Sequence, residues 1–344
     1  MKFIKIFTII IIVASLIGGL WAYNTYKEIY NSNVDFKNKE YRYLLVPTGS
    51  NFNDLCLILE EKGFVVNINS FKKTANLKSF INVKPGRYKV LNKMTNNALI
   101  SMLRIGDQSA INITFNNVRT IAQLAGKISR NLELDSVEVV KYFNDKEIQK
   151  KYGFNSSTFI SMFIANTYQV FWNVSISQLT KRMAAEYKQF WNDNRIAKAK
   201  KIGMSQSEVS TLASIVQLES VKRDEQDKIA GVYMNRLRIG MPLQADPTVI
   251  FAVGDFTIKR VLKKHLETDS PYNTYKYRGL PPGPIYLASP NTIDAVLNYQ
   301  THNYIYFCAK EDFSGYHSFA SSYNQHINNA RRYQRALNKR KIYK

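Results

Sequence analysis

The 344-residue chain is 45% hydrophobic and 22% charged, a balance that supports folded domains and excludes a disordered or low-complexity protein. Its 48 Lys and Arg against 26 Asp and Glu give a net charge of +22, so its partners are expected to be anionic: nucleic acid, phospholipid head groups or an acidic polymer. Cys56, Cys308 and the four histidines are scattered without metal-ligand spacing or a multi-bridge framework. Buried thiols, no metal site and no cofactor are therefore expected.

Residues 6–26 carry no charge and are long enough to cross a bilayer as a helix. No small-x-small cleavage site follows them, and Trp21, Tyr23 and Tyr26 resemble an interfacial aromatic belt, so a retained anchor is favoured over a cleaved signal peptide. Lysines lie on both sides of the span, so charge counting alone does not orient it. Residues 1–5 are expected as a short tail ahead of the span. Residues 27–40 are polar and aperiodic and are expected as a linker that acts as a tether.

The first folded unit is expected over residues 41–106, a small α+β module. YRYLLVP reads as a strand, FNDLCLILEEKG and residues 68–79 as helices, RYKVL as a second strand after the Pro85–Gly86 turn, and NNALISMLRIG as a third helix. Residues 107–344 form a larger α+β region with a core near 201–325. AINITF is a strand, and helices follow near 120–131 and 134–145. In SISQLTKRMAAEYKQFWNDN the stripe Leu179, Met183, Tyr187, Phe190 is core packing on a long amphipathic helix. The last 14 residues hold seven basic side chains and no acidic one, as expected of a solvated or membrane-facing tail.

SQSEVSTLASIVQLES opens with a capping box of Ser205 and Glu208, which starts a helix. Leu212, Ile215 and Val216 lie seven, four and three residues before Glu219, placing this carboxyl on the apolar stripe. Burial there would favour the neutral acid and raise its pKa, as a general acid requires. The alternative is a glutamate turned to solvent or paired with Lys222 or Arg223. In DEQDKIAGVYMNRLRIG, Ile229, Val232, Tyr233, Arg236 and Leu237 share one face. Asn235 and Arg236 fall late in that helix, near the loop with Gln244, Asp246 and Thr248. Such amide, guanidinium and hydroxyl groups suit a sugar, and Tyr272, Tyr275 and Tyr277 offer stacking faces. Alternatively, Asp246 caps the turn before Pro247 and Arg236 forms an internal ion pair.

The blocks LASIVQLES, VYMNRLRIGMPLQADPTVIFAVG, SPYNTYKYRGLPPGPI and YIYFCAKEDFSGYHSF, in this order over residues 211–319, resemble the endolytic murein transglycosylase family (MltG/YceG-like). The module at 41–106 is similar to that family's LysM-like domain, and SMFIANTY to its Leu-Phe-Pro-Asp-Thr-Tyr block. The resemblance implies a single-pass protein of the bacterial cytoplasmic (inner) membrane, amino terminus inside and catalytic domain in the periplasm. It would cut nascent glycan strands between N-acetylmuramic acid and N-acetylglucosamine and so terminate their elongation. Glu219 would act first as acid and then as base, forming a 1,6-anhydro-muramoyl end, and Asn235, Gln244, Asp246, Thr248, Tyr272, Asn273, Thr274 and His317 would bind substrate. The implied partners are peptidoglycan strands, the membrane, and peptidoglycan synthases or divisome and elongasome proteins. Departures from the family pattern are Gln217 for an acidic residue, Phe251 for tyrosine and Ala165 for proline.

Two rival readings stay open on these residues. A hydrolase of the same glycan would need a second carboxylate, with Asp246, Asp227 and Glu225 as candidates. A non-catalytic scaffold would hold glycan through the LysM-like module. Nucleic-acid binding rests on charge alone and lacks a motif.

Overall fold

The computed structural model describes residues 2–340. In chain order the elements are α1 (Lys2–Tyr30), β1 (Tyr41–Val46), α2 (Phe52–Glu61), α3 (Ile68–Leu77), β2 (Gly86–Leu91), α4 (Asn96–Ile105), β3 (Ile111–Thr114), α5 (Ile121–Ser129), α6 (Ser136–Phe143), α7 (Lys146–Lys151), β4 (Thr167–Val170), α8 (Ile176–Phe190), α9 (Asp193–Lys201), α10 (Gln206–Glu219), α11 (Gln226–Arg238), α12 (Asp246–Val253), α13 (Lys263–Leu266), α14 (Pro290–Leu297), β5 (Tyr306–Ala309), β6 (His317–Ala320) and α15 (Tyr323–Lys339). This is a mixed α+β protein with small two-stranded sheets. The chain divides into two compact units, the first mainly residues up to 112 and the second mainly from 113 onward.

The first unit begins with α1 over Phe3–Tyr30, whose most apolar 18-residue window has a mean hydropathy of 2.5 and no buried residue. At about 1.5 Å per residue it exceeds the roughly 30 Å of a bilayer core. It is long and apolar enough to serve as a single-pass anchor.

The segment 27–40 departs from the expected tether. The helix continues to Tyr30, and the chain then enters the module's core, where Val34 is 1% and Phe36 8% exposed. The reason lies in hydrogen bonds made far along the chain. Asn33 Nδ2 donates to Asn67 O and Asn96 Oδ1, both at 2.8 Å, and Asn33 Oδ1 accepts from Asn67 N at 2.8 Å. Asn96 Nδ2 donates to the Glu28 carbonyl at 2.8 Å near the end of α1.

Around this polar knot, β1 and β2 pair antiparallel with Leu44 opposite Tyr88 and Val46 opposite Gly86. Alternation sends Leu44, Val46, Tyr88 and Val90 inward onto Leu55, Leu59, Phe71, Leu99 and Leu103 from α2, α3 and α4. The outward residues form cation–π pairs, Arg87 over Tyr43 at 3.3 Å and Lys89 over Tyr41 at 4.2 Å.

The second unit is built around α10, which packs against α14, α11 and α12. The capping box forms as expected: Ser205 Oγ accepts from Glu208 N at 3.3 Å and Glu208 Oε2 accepts from Ser205 N at 2.7 Å. Every residue from Val209 to Val216 is buried, so this helix is enclosed on all sides until its last turn. Arg195 of α9 grips Asp294 of α14 with two parallel bonds of 2.8 Å. In α11, Gly231 is required because a Cβ there would lie 2.3 Å from Gln300 O. Its absence lets the 300–302 segment lie directly on the helix. Leu179 and Met183 of α8 are buried as the stripe predicted, and Tyr187 and Phe190 pack on the core's edge. Cys56 is buried and Cys308 partly buried, both as free thiols.

Replacing Asn33 by Ala strands the Asn96 and Asn67 polar groups inside the module. Asn33→Ala is expected to lower the unfolding free energy by about 1–3 kcal/mol, whereas Lys39→Ala on the exposed surface of the same segment should change it by no more than about 0.5 kcal/mol. Denaturant unfolding of the full chain in detergent micelles measures both.

Candidate active site

Glu219 closes α10, at the point where the helix stops being enclosed. It is half-buried, and its Oε1 accepts a hydrogen bond of 2.9 Å from the hydroxyl of Tyr233 on α11. Burial pushes the carboxyl up to about 7, opposed by the Tyr233 bond, reinforced by the negative charge of Asp246 and opposed again by Arg236. The hydrogen-bond partner of its Oε1 is Tyr233, not Lys222 or Arg223.

Tyr233 is buried beneath Phe307 of β5, whose ring meets it edge-on at 5.8 Å. Burial raises its phenol well above the usual value, and the neighbouring Glu219 raises it further. The tyrosine therefore stays a donor, with its proton aimed at the carboxyl.

Arg236, one turn further along α11, is 7% exposed and, among the described residues, makes no carboxylate ion pair. Its Nε donates to Ile305 O at 2.7 Å and its Nη1 to Leu243 O at 2.5 Å. The guanidinium thus fixes two loops through their carbonyls while its charge faces Glu219.

Two chain-distant blocks meet beside this cluster. Thr248 Oγ1 lies 2.8 Å from Thr274 Oγ1, which also accepts from Ala245 N at 3.0 Å. Gln244 N donates to Thr274 O at 3.1 Å while its backbone holds a left-handed φ of +52°. That conformation costs a non-glycine residue about 1–3 kcal/mol and persists where surrounding bonds enforce it. It leaves the Gln244 side chain exposed, next to the exposed Asp246. Asp246 Oδ1 accepts from Tyr275 OH at 2.6 Å, and its side chain makes no cap at the start of α12.

The remaining expected site residues hold the scaffold. Asn235 Nδ2 donates to His302 O at 2.7 Å and Tyr304 O at 2.9 Å. Asn273 Nδ2 donates to Leu266 O and Thr268 O at 2.9 and 2.8 Å. The Tyr272 ring packs on Phe251 at 4.7 Å with the two planes tilted by 47°, so the ring at 251 is used for packing. His317 binds Glu225 twice, through its backbone N–H at 2.9 Å and its Nδ1 at 2.7 Å. Tyr277 donates to Asp269 at 2.6 Å. Gln217 Oε1 accepts from Ser289 N at 2.6 Å and lies 3.2 Å from Thr292 Oγ1 at the start of α14. Acceptance alone is needed there, which an amide oxygen supplies as well as a carboxylate.

The residue that sequence reasoning left without a role is Tyr233. Its signal was present in its position three residues before Arg236 on the same helical face.

A model of the YceG-like family matches residues 44–332, and the chain belongs to that family. The endolytic murein transglycosylase of Bacillus subtilis strain 168 is 29% identical over 315 residues, which is 86% of each chain. That of Streptococcus pneumoniae strain D39 is 26% identical over 344 residues, and the alignment covers 89% of this chain and 61% of that protein. Among solved structures, the 2.6 Å crystal structure of a yceG-like protein from Listeria monocytogenes aligns with a TM-score of 0.57 at 27% identity, covering 85% of this chain and 99% of that one.

Because the folded-state value of about 7 lies above the ordinary 4.5, ionising Glu219 works against the native state. Stability is full below pH 4.5 and is lost as pH rises through the window to about 7. Glu219→Gln cannot ionise. It is expected to exceed the parent's stability by about 3 kcal/mol at pH 8 and to match it near pH 4, as read from unfolding midpoints across pH.

Proposed function

We propose that this protein is a membrane-anchored endolytic murein transglycosylase, and the observation that carries the reading is the half-buried Glu219 carboxyl held near pKa 7 against Tyr233. A group with this value is substantially protonated at neutral pH and still able to accept a proton afterwards. The protonated carboxyl donates to the glycosidic oxygen between N-acetylmuramic acid and N-acetylglucosamine, and the C1–O bond breaks. The resulting carboxylate, stabilised by the Tyr233 hydroxyl and the Arg236 charge, takes the proton from the muramoyl C6 hydroxyl as that oxygen bonds to C1. The product is a 1,6-anhydro-muramoyl end, no water is consumed, and Glu219 returns to its acid form.

A single carboxyl serves both steps, so no second carboxylate is needed. Of the candidates for one, Glu225 is engaged by His317, and Asp227 Oδ1 accepts from Lys228 N at 2.7 Å. Asp246 alone among them acts by charge on Glu219, and a hydrolase would use it to activate water. The end group of the product separates the two chemistries.

In this reading α1 anchors the chain in the cytoplasmic membrane with its amino terminus inside, and the second unit works on nascent strands outside, where internal cleavage ends glycan elongation. The module over 41–106 is LysM-like and holds glycan. Peptidoglycan synthases or other cell-wall assembly proteins are the protein partners. The relatives' shared name supports this assignment, as does the family membership.

Full-length protein in detergent, incubated with uncrosslinked peptidoglycan, should release anhydro-muramoyl ends detectable by mass spectrometry. Glu219→Gln should lower that release by at least about 10²-fold. Reducing ends would replace the transglycosylase by the hydrolase. Normal cleavage by a folded Glu219→Gln protein would remove Glu219 from the mechanism.

A further inference from the structure

A cleft of about 380 Å³ opens at the carboxyl end of α10 and is lined by Gln217, Leu218, Ser220, Val221, Arg223 and Tyr286, among others. Gln217 and Glu219 are two residues apart, about 200° around a helix. The cleft therefore lies on the opposite flank of the helix tip from the Glu219 carboxyl, and none of the proton-transfer groups lines it.

The floor of this cleft is neutral and cross-linked by hydrogen bonds. Gln217 Oε1 accepts from Ser289 N at 2.6 Å, the single Thr292 hydroxyl proton is donated to Gln226 Oε1 at 2.9 Å, and Gln226 Nε2 donates to Ser220 O at 3.1 Å. A chain of bonds like this fixes the shape and leaves little to offer an ion.

The rim differs in both respects. Arg223 is exposed, and among the described residues its side chain has no hydrogen bond or ion pair. The adjacent acid, Asp224, is held away by Tyr316 OH at 2.9 Å, and Lys222 lies over the Tyr316 ring at 4.9 Å. Val221 is 88% exposed, an apolar side chain presented to water beside the free guanidinium. A cation and a small apolar surface over a rigid neutral floor complement a short peptide that carries carboxylates and methyl groups.

Murein supplies such a peptide on the lactyl group of each N-acetylmuramic acid. At about 3.3–3.6 Å per residue, a stem of a few residues is long enough to pass from a sugar at Glu219 over Ser220 and Val221 to the far flank of the helix tip. We propose that this cleft is the binding site for the stem peptide of the bound glycan, with Arg223 receiving a peptide carboxylate. The inference rests on the murein reading and adds a reason for the enzyme to distinguish peptide-bearing from bare strands.

The test measures binding on the full-length Glu219→Gln protein, so that cleavage does not intervene. Two probes of matched length are used: glycan strands with stem peptides intact, and the same strands after an amidase has removed them. Peptide-bearing strands should bind about tenfold more tightly than bare ones. That preference should disappear in Glu219→Gln with Arg223→Ala and largely return with Arg223→Lys, which keeps the charge. Equal affinity for the two probes, or a preference that survives Arg223→Ala, overturns the proposal. Failure of the murein reading itself shows separately, as absence of cleavage of either probe by the unsubstituted protein.

Discussion

The hydrogen bond from Tyr233 to Glu219 is the interaction around which the second unit is arranged. Desolvating a carboxyl favours its neutral form, and an isolated buried acid would be fixed as a donor only. A phenol pointed at it stabilises the anion just enough to leave both protonation states accessible near neutrality. Holding that balance requires two helices to meet at a set distance. The capping box at Ser205 and the enclosed run from Val209 to Val216 set the end of α10, while the close approach at Gly231 and the carbonyl contacts of Arg236 set α11.

Surrounding residues are used mostly to hold backbone. Asn235, Asn273, Thr248 and Thr274 have side chains committed to carbonyls, amides and each other. These polar side chains hold the backbone around the exposed Gln244 and Asp246, and Tyr275 donates to Asp246. The two departures at Gln217 and Phe251 are accommodated in the same way. One needs only an acceptor oxygen and the other only a ring face.

What was legible in the sequence is what depends on neighbours in the sequence. The apolar run of α1, the cap at Ser205, the stripe that carries Glu219 and the strands around Pro85–Gly86 all follow from periodicity and turn chemistry within a few residues. The fate of residues 27–40 was not, because polar composition describes a tether and a buried asparagine equally well. Asn33 is ordered by Asn96, 63 positions away. Tyr233 was seen as one member of an apolar face, since a tyrosine on such a face is ordinarily core. Only the meeting of α10 and α11 gives its hydroxyl a carboxylate. Arg236 shows the same limit: its charge predicts an ion pair, and tertiary structure surrounds it with carbonyls instead.

The claim at the centre is that one carboxyl, tuned by one phenol, carries the proton in both directions. The pH dependence of kcat/KM for strand cleavage, compared between the parent protein and Tyr233→Phe, tests this most directly. The account predicts that activity in the parent falls as pH rises past about 7. Removing the bond that favours the anion moves that midpoint upward in Tyr233→Phe. A midpoint near the ordinary carboxyl value of 4.5, or one that Tyr233→Phe leaves in place, would contradict it.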